Sequence, residues 1–289
     1  MGPREDAEAG WGTAGLTAAA MLAFAANSLL CRAALGGGHA DAATFTTLRL
    51  AAGALALSVL ARVRGSPGPP ARPEWGSALA LFAYALGFSL AYRLVSVGVG
   101  ALLLFAAVQL TMVVVGLRTG ERPCVLEWAG HALSVAGLVA LTRPGLARPD
   151  PVGATLMILA GAAWGVYSLR GRSVGHAVGR NAANFSRAVP LALAASAIGA
   201  SFGPIRVDPL GAGLALVSGA VASGMGYALW YAALRRLTAI RAALVQLSVS
   251  PLAAGAGALL LGESLSPRLL AAGTLVLGGI ALAVAGRGR

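Results

Sequence analysis

The stretch ALVQLSVSPLAAGAGALLLGESLSP (243–267) is an almost unbroken run of apolar and small residues that closes with a Gly-Glu pair. A helix needs about 20 apolar residues to cross about 30 Å of hydrocarbon, and this run is long enough. Membrane β-strands would instead show about ten residues of alternating polarity. Because a helix satisfies its own backbone hydrogen bonds in lipid, the stretch predicts a membrane-spanning helix.

The rest of the 289-residue chain has the same character. Hydrophobic residues make up 57% and charged residues 11%, with a mean hydropathy of +0.78, whereas a water-soluble domain carries about a quarter charged residues. The net charge of +12 comes from 22 basic residues, all arginine, which are scattered between apolar runs. This distribution is typical of membrane loops and argues against a nucleic-acid partner. The composition predicts a protein whose partner is the lipid bilayer.

Ten apolar segments predict an all-α polytopic membrane protein with ten transmembrane helices. If both termini are cytoplasmic, fifteen arginines lie on the cytosolic side and seven, including Arg32, Arg49 and Arg93, on the other. This bias follows the positive-inside rule and predicts that orientation. The Arg-rich and Ala-rich usage indicates a bacterial inner membrane. The predicted spans are 12–35, 43–62, 75–95, 98–117, 124–142, 152–170, 182–203, 209–234, 239–262 and 268–286.

The second half of the sequence repeats the first. The matching segments are GFSLAY (87–92) with GYALWY (226–231), ALLLFAAVQL (101–110) with ALVQLSVSPL (243–252), and GLRTGERP (116–123) with LLLGESLS (259–266). Since five helices per unit is an odd number, the second unit must enter the membrane upside down. The sequence thus predicts two inverted five-helix repeats, 12–142 and 152–286. Transporters with this architecture bind substrate near the midplane between the repeats.

These features resemble the drug/metabolite transporter superfamily, EamA type. The resemblance covers nearly the whole chain and rests on FAANSLLCRAALGGG…FTTLRL (24–50), on the two Gly-Glu signatures and on the stretch 243–267. It implies a secondary transporter, often an exporter of amino acids, metabolites or toxic compounds, and it implies no particular substrate. One departure is Gln109, which stands where the second repeat and many relatives carry proline, here Pro251.

Aromatic residues form stripes on three of the predicted helices. Residues spaced by three or four positions share a helix face, and aromatic rings with polar tips suit a cavity for a planar or amphipathic solute. Ordinary helix packing or an interfacial aromatic belt is the alternative interpretation. The substrate-binding candidates from these stripes are Tyr84, Phe88, Tyr92, Trp164, Tyr167, Tyr227, Trp230 and Tyr231.

Isolated polar groups inside predicted spans need partners, because lipid offers none. Asn27, Gln109 and Gln246 are such groups, and each either contacts substrate or holds two helices together. His131 is the titratable group within a span whose ordinary pKa lies near neutrality. It is the candidate for proton coupling, with a hydrogen bond between helices as the alternative.

All ten acidic residues lie in tails or near span ends, so no buried carboxylate is available to bind a lipophilic cation. Arg32, Arg49 and Arg93 lie toward one face of the membrane. They either attract a carboxylate or phosphate or extend to lipid headgroups. Arg32 is included among the substrate-binding candidates, and the charge pattern favours an anionic or zwitterionic cargo such as an amino acid.

The sequence therefore predicts a transporter that exports a small metabolite by alternating access and needs no cofactor or metal. A membrane scaffold or regulator with a transporter fold is the main alternative. A membrane-embedded enzyme is disfavoured, because H-E-x-x-H and paired Asp are absent from the sequence. The two G-x-S-x-G matches, GRSVG (171–175) and GASFG (199–203), lie at the ends of predicted helices and not at a strand-to-helix turn. A homodimer is left open, since small-residue spacings arise by chance among 40 glycines.

Overall fold

The computed structural model describes residues 3–65, 74–142, 149–172 and 177–285. Within these ranges the chain forms twelve α-helices, numbered in chain order, and one π-helical segment between α8 and α9. An isolated bridge between Ala40 and Val207 is the only extended pairing in the described residues. The helices are α1 Pro3–Gly36, α2 Ala42–Val63, α3 Trp75–Ala91, α4 Val97–Arg118, α5 Val125–Thr142, α6 Pro151–Arg172, α7 Ala177–Ala200, α8 Pro209–Val217, α9 Gly226–Leu234, α10 Ala239–Gln246, α11 Val249–Leu261 and α12 Pro267–Ala285, with the π-helical segment at Ser218–Met225.

Six helical stretches in the described residues are long and apolar enough to cross a membrane, and two shorter apolar helices accompany them. Each of the ten predicted segments is helical, although the ninth is divided into α10 and α11. The chain is therefore an integral membrane protein, while ten crossings stay a prediction. The six long stretches are Gly12–Gly36, Ala42–Val63, Val97–Arg118, Pro151–Arg172, Pro209–Leu234 and Ala239–Leu261, and the shorter ones are Trp75–Ala91 and Pro267–Ala283.

The helix ends follow from local sequence. Asp41 and Asp208 begin α2 and α8, where each carboxylate accepts a hydrogen bond from a backbone N–H of the first turn. Such caps satisfy donors that the helix itself leaves free. Gly120 and Gly262 follow α4 and α11 with φ of 87° and 65°, a left-handed conformation that glycine adopts without steric cost. The two Gly-Glu signatures therefore mark helix ends in both halves.

Helices from the two halves of the chain pack against each other throughout the bundle. α2 packs along α7, α5 along α12, and α4 along both α10 and α11. α6 contacts α3 and α4, and α1 correspondingly contacts α9 and α11. The two halves consequently share one interior, in which the large buried side chains of both are collected.

The backbone of α2 lies directly against the π-helical segment at Gly219. A Cβ atom at this position would overlap the carbonyl oxygen of Arg49 and would lie 2.9 Å from Cβ of Ala52. Glycines of this kind let two helices approach closely in a membrane, where packing rather than hydrophobic exclusion holds helices together. This contact fixes the position of Arg49 relative to the π-helical segment.

Candidate functional site

The aromatic stripes of the three helices meet in the interior. Trp164 of α6 lies at the centre, with ring centroids 5.1 Å from Tyr84 of α3 and 4.6 Å from Tyr227 of α9. All of these rings are buried. Together they form one aromatic cluster, defined as Phe24, Tyr84, Phe88, Tyr92, Trp164, Tyr167, Phe185, Tyr227, Trp230 and Tyr231.

Arg49 of α2 borders the aromatic cluster, and it is 1% exposed. Its Nε donates to the hydroxyl of Ser223 at 3.1 Å, and its Nη2 donates to the hydroxyls of Tyr84 at 3.1 Å and Tyr227 at 3.4 Å. The guanidinium carbon also lies 5.2 Å from the ring centroids of Tyr84 and Phe88. Such cation–π contacts stabilise a charge that has left water. Arg49 therefore does not extend to lipid headgroups, and that interpretation of this residue is wrong.

The π-helical segment supplies polar groups to the same interior. Ser223 accepts from Arg49, and Ser218 donates to Oδ1 of Asn27 at 2.7 Å. Asn27 in turn donates to the hydroxyl of Tyr84 at 3.3 Å, so that Tyr84 accepts from both Asn27 and Arg49. π-Helical turns inside α-helices are frequent at functional sites. Here the segment carries the two serines that bond Asn27 of α1 and Arg49 of α2.

A second polar contact lies on the other side of Trp164. Its indole Nε1 donates to Oε1 of Gln246 at 2.7 Å, and Nε2 of Gln246 lies 3.2 Å from the sulfur of Met112. This bond joins α6 to α10 and fixes the indole plane. The hydroxyl of Tyr231 donates to the carbonyl of Tyr167 at 3.0 Å. Gln246 therefore acts on the aromatic cluster through Trp164.

Gln109 and His131 lie elsewhere in the bundle. The amide nitrogen of Gln109 is 2.5 Å from Nδ1 of His131, which joins α4 to α5. The His131 ring also packs edge-on against Trp128, whose side chain is exposed at the outer surface. The structure thus places these two candidates together as an interhelical pair, separate from the aromatic cluster.

The aromatic cluster borders small spaces in the described part of the chain. A cavity of about 10 Å³ lies between Phe24, Tyr84, Phe88, Trp164 and neighbouring side chains. A space of this size holds about one water molecule. Any solute larger than water would therefore need the helices around the cluster to separate.

Arg32 closes one end of the bundle together with Glu263, and we call these contacts the Glu263 clamp. Nε of Arg32 lies 3.2 Å from Oε1 of Glu263, and its Nη1 donates to the carbonyl of Tyr92 at 2.8 Å. The other oxygen of Glu263 accepts from the backbone N–H of Val97 at 2.9 Å. The clamp therefore ties α1 and Glu263, two residues after the end of α11, to the start of α4. Arg32 lies here, outside the aromatic cluster.

The opposite end carries the matching Glu121 clamp. The carboxylate of Glu121 accepts from the backbone N–H groups of Ala239 at 2.8 Å and Ile240 at 3.0 Å, and from Nη1 of Arg172 at 2.9 Å. Glu121 and Glu263 occupy equivalent positions of the sequence repeat. In both clamps a glutamate caps the start of a helix from the other half and binds an arginine. The two clamps close the bundle at opposite ends of α4.

The Glu121 clamp predicts a pH dependence. Partial burial raises the pKa of Glu121, but the hydrogen bonds from Ala239, Ile240 and Arg172 outweigh it and leave the pKa below its ordinary value. A carboxyl whose pKa is lowered by folding stabilises the fold above its unfolded pKa, and this stabilisation is lost as pH falls through the folded pKa. We therefore expect the melting temperature of the purified protein to fall below about pH 4. Glu121→Gln should reduce that fall, and an unchanged profile would contradict the prediction.

Two members of the site, Phe24 and Phe185, were not among the sequence candidates, and a third, Arg49, was predicted either to attract an anion or to extend to lipid headgroups. Phe24 and Phe185 complete the aromatic cluster, and Arg49 supplies its charge. Phe24 lies within an apolar run, and no other aromatic residue lies three or four positions away from it. Arg49 lies seven residues after the start of α2, so its position in the sequence indicated a helix end. An arginine within a predicted span was nevertheless a signal, because intramembrane charges are costly and are retained for function.

Comparison with known proteins agrees with this architecture. The profile of the EamA-like transporter family matches residues 151–285. An uncharacterized protein of Pseudomonas aeruginosa is 54% identical over 272 residues, which cover 94% of each chain. A protein of known crystal structure shares the fold with a TM-score of 0.74 at 20% identity, over 93% of this chain and 98% of that chain. The chain belongs to the EamA-like transporter family of the drug/metabolite transporter superfamily, whose members are membrane transporters.

Proposed function

We propose that the protein is a secondary transporter that exports a small anionic or zwitterionic metabolite, such as an amino acid, by alternating access. The observation that carries this proposal is the pair of equivalent clamps at opposite ends of one bundle, with a buried charged and aromatic site between them. In alternating access, two related units move against each other around a central site. Release of one clamp would open the site to one side while the other clamp stays closed.

The ion pairs support the proposed topology of ten spans with both termini in the cytoplasm. Each ion pair found in the described residues joins two residues that this topology places on the same side. A topology with one span missing would place partners of several pairs on opposite faces. The pairs are Arg32–Glu263 and His39–Asp208 on the outer side, and Arg172–Glu121, Arg180–Glu74 and Arg241–Glu127 on the cytosolic side.

The helix contacts support two inverted units at 12–142 and 152–286. In the sequence repeat, α9 is the counterpart of α3, and α1 is the counterpart of α6. The contact of α3 with α6 therefore corresponds to the contact of α9 with α1. The same correspondence leaves the pairings of α2 with α7 and α5 with α12 unchanged. The family profile match at 151–285 covers the second unit. His131 remains the candidate for proton coupling in this proposal, because it lies within α5.

Flux through purified protein in liposomes tests the proposal. We expect substrate-dependent flux of at least one compound from a panel of amino acids and small organic acids. Trp164→Ala should reduce that flux by about tenfold or more, because it removes the central ring and leaves Gln246 without its donor. Trp75→Ala is the matched control, since this residue is 50% exposed at the start of α3, and it should retain the flux. Folded protein without flux of any compound would contradict the proposal and would favour a non-transporting scaffold.

A further inference from the structure

We infer that Arg49 binds the carboxylate of the substrate and thereby selects a carboxylate carried on an apolar or aromatic body. This role of Arg49 rests on the proposed transport function.

The charge of Arg49 has no acidic partner. None of the ion pairs in the described residues includes Arg49, and its Nη1 has no hydrogen-bond partner among them. Burying an ion costs several kcal/mol in free energy unless an opposite charge and hydrogen bonds compensate it. The hydroxyls and rings around Arg49 compensate in part, whereas a bound anion would provide the missing charge and the missing acceptor.

The arrangement of hydrogen bonds limits the anion to a small oxyanion group. Ser223, Tyr84 and Tyr227 engage Nε and Nη2 and hold the guanidinium plane in place. The two N–H groups of Nη1 are left to donate, which suits one carboxylate. Guanidinium binds carboxylates through such charge-assisted hydrogen bonds. The protein thus presents a preorganised donor at a fixed position beside the aromatic cluster.

The repeat supplies this charge only once. Phe45 of α2 and Phe185 of α7 are both fully buried, and alignment on them places Val189 opposite Arg49. One half therefore carries a cation where the other carries an apolar side chain. The basic residue of α7 nearest to Val189 in sequence is Arg187, whose Nη1 is also buried without a hydrogen-bond partner. Arg49 is distinguished from it by a guanidinium that lies over the rings of Tyr84 and Phe88.

The rest of the substrate would contact rings. Phe88 and Tyr84 separate Arg49 from Trp164 and Phe24, so that a body attached to the carboxylate meets aromatic surface. These rings pack well against an apolar or aromatic group. Ring faces also accept an ammonium group by cation–π contact. The shared requirement is the carboxylate, and both amino acids and simple carboxylic acids satisfy it.

Three probes that share a phenylethyl group test the inference: L-phenylalanine, 3-phenylpropionate, which lacks the ammonium, and phenethylamine, which lacks the carboxylate. Binding is measured by thermal stabilisation of purified full-length protein, and flux is measured in liposomes. We expect one or both carboxylates to bind and phenethylamine not to bind. Binding of both would show that the carboxylate suffices, and binding of phenylalanine alone would add an ammonium contact.

The variant Arg49→Met should weaken carboxylate binding at least 30-fold, because a buried charged partner is lost. Its melting temperature without ligand should stay close to that of the unchanged protein, since an apolar side chain replaces a buried unpaired charge. Arg49→Lys keeps the charge and serves as a second variant if Arg49→Met fails to fold, with weakened binding again expected. Arg93→Gln, at an exposed arginine, is the matched control and should bind normally.

Failure of this inference differs from failure of the transport proposal. Equal binding of phenethylamine, no binding of either carboxylate, or carboxylate binding that both Arg49 variants retain would overturn the role of Arg49, even if flux of another compound is found. Binding that depends on Arg49 without flux of any compound would instead support the carboxylate site and contradict transport.

Discussion

Glu263→Ala should open one end of the bundle and Glu121→Ala the other. Each substitution removes a carboxylate that caps a helix of the opposite half and pairs with an arginine. Because the carboxylates are partly exposed, we discount the loss to about 2 kcal/mol per clamp. That free energy corresponds to about a 30-fold change in the population open at that end.

Two alanines at equivalent positions of the repeat report on these openings. Ala101 in α4 and Ala243 in α10 are fully buried, one turn below the Glu263 and Glu121 clamps respectively. In protein lacking Cys31 and Cys124, we expect Glu263→Ala to accelerate thiol labelling of Ala101→Cys by about 30-fold and to leave Ala243→Cys slow. Glu121→Ala should produce the reverse pattern.

The control for these variants is Asp208→Ala, which removes the cap of α8 and the contact with His39 and leaves both clamps intact. It should change neither labelling rate. Simultaneous acceleration at both reporters in either clamp variant would indicate loosening of the whole bundle and would count against alternating clamps.

Most of the fold could be predicted from sequence because hydrophobic length and helix breaks are local properties. The ten predicted segments match helices, and the Gly-Glu pairs mark helix ends, as the positive φ of Gly120 and Gly262 illustrates. The division of the ninth segment after Gln246 was missed, although Pro251 lies just beyond it. A proline has no backbone N–H to donate to the carbonyl four residues before it, so the break had a recognisable sequence signal.

The site was harder to predict because it depends on which helix faces meet. Helical spacing grouped Tyr84 with Phe88, but nothing local indicated that Trp164 would lie between Tyr84 and Tyr227. Arg49 was assigned to a surface because charge counting treats arginines near span ends alike. Its surroundings come from α3, α9 and the π-helical segment, and no periodicity in the sequence indicated the wider turn of that segment.

Gly219→Ala should destabilise the protein strongly. The added methyl would overlap the carbonyl oxygen of Arg49 and crowd Cβ of Ala52, and both belong to the rigid helix α2. Since no flexible side chain can move aside, α2 and the π-helical segment must separate. Overpacking of this kind costs about 3 kcal/mol in unfolding free energy, which we expect to see as a markedly lower denaturation midpoint in detergent. The separation would also move Arg49 away from Ser223, so carboxylate binding should weaken.

Gly213→Ala provides the matched comparison, because no atom lies within 4 Å of a Cβ built at this position of α8. Alanine is the better helix former by about 1 kcal/mol, so this variant should be as stable as the unchanged protein or more so. The two substitutions add the same methyl six residues apart in one membrane segment and should act in opposite directions. Equal melting of both variants would mean that α2 does not contact the π-helical segment as closely as the structure places it, and the geometry that positions Arg49 would then need revision.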